Sequence, residues 1–364
     1  MSSPLRVAVV GLGWAGRSIW LSRLAAHPAF EVTAVVDPSP IAAEIAAETG
    51  PGVLALSDID ELTPALADLA VVAVPNHLHA KVACRLLERG IPVFLEKPVC
   101  LNSAEADELA AAELAGGAVL LAGSAARYRA DVMALREAAA GLGPLRHIDI
   151  SWVRARGVPD AGGWFTQSQL SGGGALVDLG WHLLDTVSPL IGPAEYEEVV
   201  GSVSDDFIAA ASHGASWRHE DAKSTSGGDV EDTARGFLVT EDGVSVSLRA
   251  SWASHEALDS TVIKVEGASG TASLRCTFGF SPNRAGGSEL SSTRAGESTP
   301  IAFDEEPIGA EYDRQLDALP ALLADPASRG KAVEDTRRTI AVIERIYTSA
   351  RRARSRRQEL ASAR

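Results

Sequence analysis

Asp178, His182 and Asp185 are separated by four and three residues. On a helix such positions share one face. A carboxylate, an imidazole and a second carboxylate aligned in this way suit proton transfer at a site shielded from water. Leu176, Leu179, Leu183, Val187 and Leu190 form a second, apolar stripe in the same stretch. At about 100° per residue the two stripes point in different directions, so one anchors the helix while the other addresses a cavity. Gly172-Gly173-Gly174 runs into this helix, and glycines there let backbone or ligand approach closely.

A second constellation lies near the start of the chain. Val9-Val10-Gly11-Leu12-Gly13-Trp14-Ala15-Gly16 follows a strand candidate and opens a helix candidate. In that context G-x-G-x-x-G is a dinucleotide fingerprint rather than an ordinary turn. Gly11 makes the tight turn, Gly13 admits a pyrophosphate and Gly16 lets helix and strand pack. The helix-start amides, at Trp14 and Ala15, bind the phosphates. The fingerprint expects an acid about 20 residues on, and Asp37 lies 21 residues past Gly16, directly after Ala34-Val35-Val36. A carboxylate there accepts both ribose hydroxyls and repels a 2′-phosphate. Pro38-Ser39-Pro40 supplies no cation to hold such a phosphate, so NAD is expected over NADP.

Two more segments sit where strand ends meet loops. Pro75-Asn76-His77-Leu78-His79 follows a strand ending at Val74, and Glu96-Lys97-Pro98 follows one ending at Leu95. Ligands of doubly wound sheets bind at the carboxyl ends of strands, so both segments are expected to face the cofactor. Lys97 is then placed to meet a substrate hydroxyl; a salt-bridging surface lysine in a proline turn is the competing reading.

In this order and spacing, Gly11-x-Gly13-x-x-Gly16, Asp37, Pro75-Asn76 with His79, Glu96-Lys97-Pro98 and the Gly172–Asp185 helix resemble the Gfo/Idh/MocA oxidoreductase family. That family includes inositol dehydrogenases and glucose–fructose oxidoreductase. The resemblance runs from roughly Arg6 to Tyr347, and Val230-Glu231-Asp232-Thr233 and Glu266-Gly267-Ala268-Ser269-Gly270-Thr271 resemble its later segments. It implies an NAD-dependent oxidoreductase that moves a hydride between a secondary alcohol of a sugar, cyclitol or sugar derivative and the nicotinamide. It marks Lys97 as the catalytic lysine and Asp178 and His182 as the acid–histidine pair. It sets Asn76 and Glu96 on the nicotinamide side, with Pro75, His79 and Lys97 also counted toward the cofactor, and implies a cis Lys97–Pro98 bond.

The residues support the same chemistry without the resemblance. Alcohol oxidation needs a base, and an imidazole with an ordinary pKa of about 6.5 suits His182 to it. Lys97 stabilises the developing alkoxide. Asp178 orients substrate or imidazole, and Asp185 either supports the site from behind or stabilises the helix. Alternatives within the family are glycosidic cleavage through transient oxidation, outside the two-carboxylate scheme, and non-catalytic sensing of NAD or sugar. The trio also has the ligand types of a metal set, but a nearby NAD makes a metal unnecessary, and none is expected. Candidate substrate residues are Arg127 and Tyr128 at the domain junction, Trp164 before the glycine triplet, Asp178, His182, and Tyr312 near the C-terminus. Arg154 and Arg156 alternate along a strand candidate, and face either the pocket or solvent. A sugar phosphate or nucleotide sugar is favoured if they face the pocket.

The elements around these residues divide the chain. In residues 1–123, continuous apolar strand candidates (Arg6–Val10, Val32–Val36, Leu69–Val74, Pro92–Leu95, Ala118–Leu121) alternate with alanine-rich helices such as Ile41–Thr49, His79–Arg89 and Ser103–Leu114. That predicts an α/β, doubly wound parallel sheet of the Rossmann type. Residues 124–350 read as an α+β domain: a helix at Ala130–Ala140, then strand candidates His147–Arg154, Gly236–Thr240, Val244–Trp252, Thr261–Glu266 and Thr271–Cys276. Alternating polarity in Val244–Ala250 predicts an open, mostly antiparallel sheet with one wet face, on which a homodimer or homotetramer can pack. Ser212–Asp232 and Phe280–Glu297 read as surface loops, and 351–364 as a disordered Arg-rich tail.

Composition bounds the rest. The 364 residues suit two domains. A formal net charge of −15 excludes the basic surface that nonspecific nucleic-acid binding needs. No apolar run is long enough for a membrane span, and the start lacks a secretory signal, so a soluble cytoplasmic protein is expected. Cys84, Cys100 and Cys276 have no metal-type spacing and fit a reducing compartment.

Overall fold

Strands that are apolar at every position need cover on both faces, and the first sheet has it. In a computed structural model of the chain, which describes residues 3–159, 163–208, 214–215 and 228–362, six parallel strands run in the order β3-β2-β1-β4-β5-β6. They are β1 (Leu5–Val10), β2 (Phe30–Val36), β3 (Leu54–Leu56), β4 (Leu69–Val72), β5 (Val93–Leu95) and β6 (Leu120–Ala122). Val7 to Val9 of β1 and all of β4 are fully buried. The chain moves outward from β1 through β2 and β3, then returns to β4 beside β1. This reversal leaves the carboxyl ends of β1 and β4 as neighbours, where such sheets bind ligands. The five expected strands are present. The sixth, β3, is a short edge strand with two of its three residues exposed, too weak a pattern to read.

The second sheet has eight strands in the order β14-β13-β12-β11-β7-β10-β9-β8. They are β7 (Leu145–Val153), β8 (Tyr196–Ser204), β9 (Thr233–Thr240), β10 (Ser245–Ser251), β11 (Ser260–Gly267), β12 (Gly270–Cys276), β13 (Glu289–Arg294) and β14 (Glu297–Pro300). Only the β7–β10 pair is parallel. Ile148, Ile150 and Trp152 of β7 share the buried face with Val246, Leu248 and Ala250 of β10 and Ile263 and Val265 of β11. The opposite face carries His147, Asp149 and Ser151 with Ser245, Ser247 and Lys264, all partly exposed, as the alternation predicts. The helical stretch from Leu176 to Ile191 lies on the buried face, where Trp152 meets His182.

Three sequence expectations change here, and one strand, β8, was not anticipated. The Phe280–Glu297 loop contains β13, a Ser-rich strand held by backbone pairing to β12 rather than by apolar side chains. β8 escaped notice for the same reason: its Glu-Glu and Ser positions are exposed at the sheet edge. The tail is helical, because Lys331–Ser362 is one helix without interior Gly or Pro, although 351–362 are exposed. Finally, the chain divides into Met1–Ala125 with Tyr312–Arg337, and Ala126–Glu311 with Arg338–Arg364. Residues 312–337 therefore belong to the first unit; Gln315 Nε2 donates to the Ala122 carbonyl at 3.0 Å and Arg337 pairs with Asp107 at 2.6 Å. Most of the Ser212–Asp232 loop lies outside the described residues. No described helix is long and apolar enough to cross a membrane.

Candidate active site

In the first unit the glycine loop has the shape a dinucleotide needs. Gly11 has φ +90°, and a Cβ on it would stand 2.7 Å from the Ala73 carbonyl oxygen. A Cβ on Gly16 would overlap the Gly11 carbonyl oxygen, so only glycine lets the helix begin there. Around Gly13 the reverse holds: it is exposed, and a Cβ would find no atom within 4 Å. That opening beside the start of the helical stretch Ala15–Ala26 is where a pyrophosphate fits. Trp14 and Ala15 are partly exposed beside it. Asp37, at the end of β2, accepts the Leu12 amide on Oδ2 at 2.8 Å and the Ser39 amide on Oδ1 at 2.9 Å. The carboxylate is thus locked to the glycine loop in the position a ribose acid requires.

The two loops after β4 and β5 are tied together. His79 is 1% exposed, with Nδ1 2.6 Å from the Pro98 carbonyl oxygen and Nε2 2.8 Å from that of Val74. Both ring nitrogens face backbone carbonyls, so His79, expected at the cofactor, braces the Lys97–Pro98 loop against the end of the preceding strand segment. Burial pushes its imidazole down to about 4. The Lys97–Pro98 peptide is cis. Glu96 takes the Trp20 indole N–H at 2.7 Å and the Lys97 amide at 2.9 Å. Withdrawal from water raises the Glu96 carboxyl above its usual range, against the pull of Lys97 and these donors. Pro75 and Lys97 are partly exposed, and Asn76 is buried. Tyr312, expected at the substrate, packs edge-on against Trp20 at 5.6 Å, with the Arg23 guanidinium over its ring, all within this unit.

In the second unit the helix bearing the acid–base trio begins with a wider π-type turn, Leu176–Gly180, before the regular α-helix Trp181–Ile191. Such turns recur at functional sites. The three side chains take different partners. Asp178, 7% exposed, accepts the Trp252 indole N–H on Oδ2 at 2.9 Å and has Arg154 Nη1 at 3.9 Å. The His182 ring lies 5.7 Å from that of Trp152. Asp185 pairs with Arg127 Nη2 at 2.7 Å, and its backbone carbonyl accepts Arg127 Nε–H at 2.9 Å. Asp185 therefore fixes Arg127. Among the described residues no cluster of three or more His, Cys, Asp and Glu is arranged to hold a metal.

The glycine triplet serves protein rather than ligand. Glu231, 7% exposed, accepts the Gly174 amide at 3.1 Å, the Leu176 amide at 2.9 Å and the Tyr347 hydroxyl at 2.8 Å. Its backbone carbonyl accepts the Ala175 amide at 3.0 Å. A Cβ on Gly174 would overlap that carbonyl, and one on Gly173 the Tyr347 hydroxyl. One buried carboxylate thereby holds the first turn of the helix that carries Asp178 and His182. Burial raises the carboxyl of Glu231 and the hydroxyl of Tyr347.

Of the remaining candidates, Tyr128 is partly buried and its hydroxyl is raised by burial. Trp164 stacks edge-on with Phe165 at 5.0 Å, which leads to Trp252. Arg154 and Arg156 do not share a strand face, because β7 ends at Val153; Arg154 turns toward Asp178 and Arg156 is exposed. Sequence reading missed Trp20, Trp252 and Tyr347 as supports. Glu231 was visible only as part of a resembling segment.

A nucleotide-type glycine loop in one unit and a buried acid–histidine helix over an antiparallel sheet in the other define a two-unit oxidoreductase. The family model for an oxidoreductase family with an NAD-binding Rossmann fold matches residues 5–124, and the GFO/IDH/MocA C-terminal domain matches residues 133–273. A protein of Amycolatopsis mediterranei (strain S699), provisionally named UDP-kanosamine synthase oxidoreductase subunit, is 58% identical over 97% of this chain and 98% of its own. The D-glucoside 3-dehydrogenase of Escherichia coli (strain K12) is 32% identical over 52% of this chain and 55% of its own. Among solved structures, GenD2 from gentamicin A biosynthesis, in complex with NAD, superposes with a TM-score of 0.74 at 24% identity, over 96% of this chain and 95% of its own. The chain belongs to the GFO/IDH/MocA oxidoreductase family.

Proposed function

We propose that the chain is an NAD-dependent dehydrogenase that oxidises the carbon-3 hydroxyl of a glucose unit, carried as a nucleotide sugar, to the ketone. The observation that carries this reading is the Gly172–Asp185 segment. It holds a buried carboxylate fixed by an indole and, one turn on, an imidazole packed on a second indole. His182 takes the hydroxyl proton, Asp178 orients it, and Lys97 stabilises the alkoxide oxygen. NAD, when bound, accepts the hydride. Gly13 and the helix-start amides hold its pyrophosphate, and Asp37 its ribose. Pro38-Ser39-Pro40, directly after Asp37, supplies no cation for a 2′-phosphate.

The relatives support the choice of carbon. One is named a glucoside 3-dehydrogenase, and the other is named for kanosamine, a glucose bearing its amine at carbon 3. The second is named as one subunit of a synthase, which supports a partner subunit for this chain. We assign self-association to the open face of the second sheet, where Phe237 is 49% and Val200 60% exposed.

The test is NADH formation from UDP-glucose, simple glucosides and inositols, with the product trapped by borodeuteride to locate the oxidised carbon. NADH from UDP-glucose with deuterium at carbon 3 supports the reading. Aglycone release without net NADH favours glycosidic cleavage instead. NAD binding without turnover, combined with an unaltered biological effect of Lys97→Ala, favours a sensor.

A further inference from the structure

Trp152 stands one residue from the end of β7 and is 4% exposed. Its ring lies 5.7 Å from His182, meets Phe278 edge-on at 5.4 Å and carries the Arg154 guanidinium over its face at 5.0 Å. These neighbours are rings and a cation, and none accepts a hydrogen bond from the indole. Among the described residues, buried Nε1 of Trp152 has no hydrogen-bond partner. Buried donors are nearly always satisfied, and leaving one unmade is costly. Two other buried tryptophans show the ordinary outcome: Trp252 donates to Asp178 at 2.9 Å and Trp20 to Glu96 at 2.7 Å. The indole that touches the proposed base has no such acceptor.

We propose that Trp152 is a substrate-binding residue whose indole N–H donates to a sugar hydroxyl on a carbon adjoining the oxidised one. An indole N–H only donates, so its partner is an oxygen. Arg154 over the ring holds the indole plane in place. Contact between the two rings places that oxygen close to the hydroxyl His182 deprotonates, which a vicinal hydroxyl satisfies and a distant phosphate does not. The inference rests on the reading of His182 as base. It makes Trp152 a determinant of which sugars are accepted, because a sugar without that hydroxyl leaves the donor buried and unpaired.

The experiment uses the full chain with UDP-glucose and its 2-deoxy and 4-deoxy analogues. Wild type should lose about tenfold in kcat/KM on one analogue. Trp152→Phe, which keeps a ring against His182, should lose about tenfold on UDP-glucose and little more on that analogue. Incorporation of benzothienylalanine at position 152 keeps the bicyclic shape without the N–H and should reproduce the pattern if the phenylalanine variant misfolds. Equal losses on all three sugars would mean that the indole only packs, and would overturn the proposal. Separately, the Trp152 indole 1H–15N resonance should move downfield when UDP-glucose is added. That shift without turnover would fail the dehydrogenase reading and leave the binding assignment standing; no shift with any of the three sugars overturns the assignment.

Discussion

Between Gly11 and Gly16 the groups that address a ligand are backbone amides, placed by a turn and two strand ends. Asp178 and His182 are placed differently. The hydrogen bond to Asp178 comes from a residue 74 positions away, and the Gly174 amide is held by one 57 positions away. In the glycine loop of the first unit backbone conformation makes the site, and that conformation is written in glycine positions. In the second, side chains distant in sequence hold it. Damage to the glycine loop should therefore fall on NAD binding, while damage at His182 should spare it.

The sharpest test of that separation is His182→Ala. We expect kcat to fall by about 10²–10⁴ while calorimetric NAD affinity is retained; a matching fall in NAD affinity would end the contrast. Gly16→Val attacks the other side. Its side chain overlaps the Gly11 carbonyl, and NAD affinity should drop by at least about 100-fold. Glu231→Ala removes the acceptor for three donors. At about 1 kcal/mol for each, urea unfolding should register about 3 kcal/mol of lost stability. Glu231→Gln keeps a neutral acceptor and should lose less; equal losses would mean that the charge carries the whole effect.

A test of comparable size concerns the brace in the first unit. His79 is pushed down to about 4 by burial, from about 6.5 when unfolded. Between those values the unfolded chain binds the extra proton. The stability of the neutral ring is thus complete above about pH 6.5 and falls as pH drops toward 4, by on the order of 3 kcal/mol. His79→Gln should flatten that part of the curve, and an unchanged slope would assign it to other groups. The smallest effect expected is on cofactor choice: Asp37→Ser should narrow the preference for NAD over NADP by about tenfold, measured as a ratio of kcat/KM values.

The first unit was legible because its code is local. Five of six strands, the glycine loop and Asp37 follow from apolar runs and spacing, and only the short edge strand β3 was lost. The second unit was legible in its centre and not at its edges. β8, β13 and β14 pair through backbone while their side chains stay wet, so hydrophobic pattern cannot reveal them. The trio Asp178, His182 and Asp185 was readable as a set, but its division of labour was not. A one-face helix model treats the three alike, whereas the π-type turn and separate partners give Asp178 to Trp252, His182 to Trp152 and Asp185 to Arg127.

By itself the sequence determined the Rossmann-type sheet, the nucleotide loop and the chemical types at the acid–base helix, because each is carried by apolar runs, glycine positions and residue spacing along the chain. Tertiary structure alone decided that His79 is a brace, that Tyr312 packs on Trp20, that Glu231 anchors the helix bearing Asp178 and His182, and that the Trp152 donor is left without a partner among the described residues. These roles depend on which buried groups meet across long sequence separations. No spacing rule encodes that, since burial makes each polar contact obligatory only after the fold has chosen its partner.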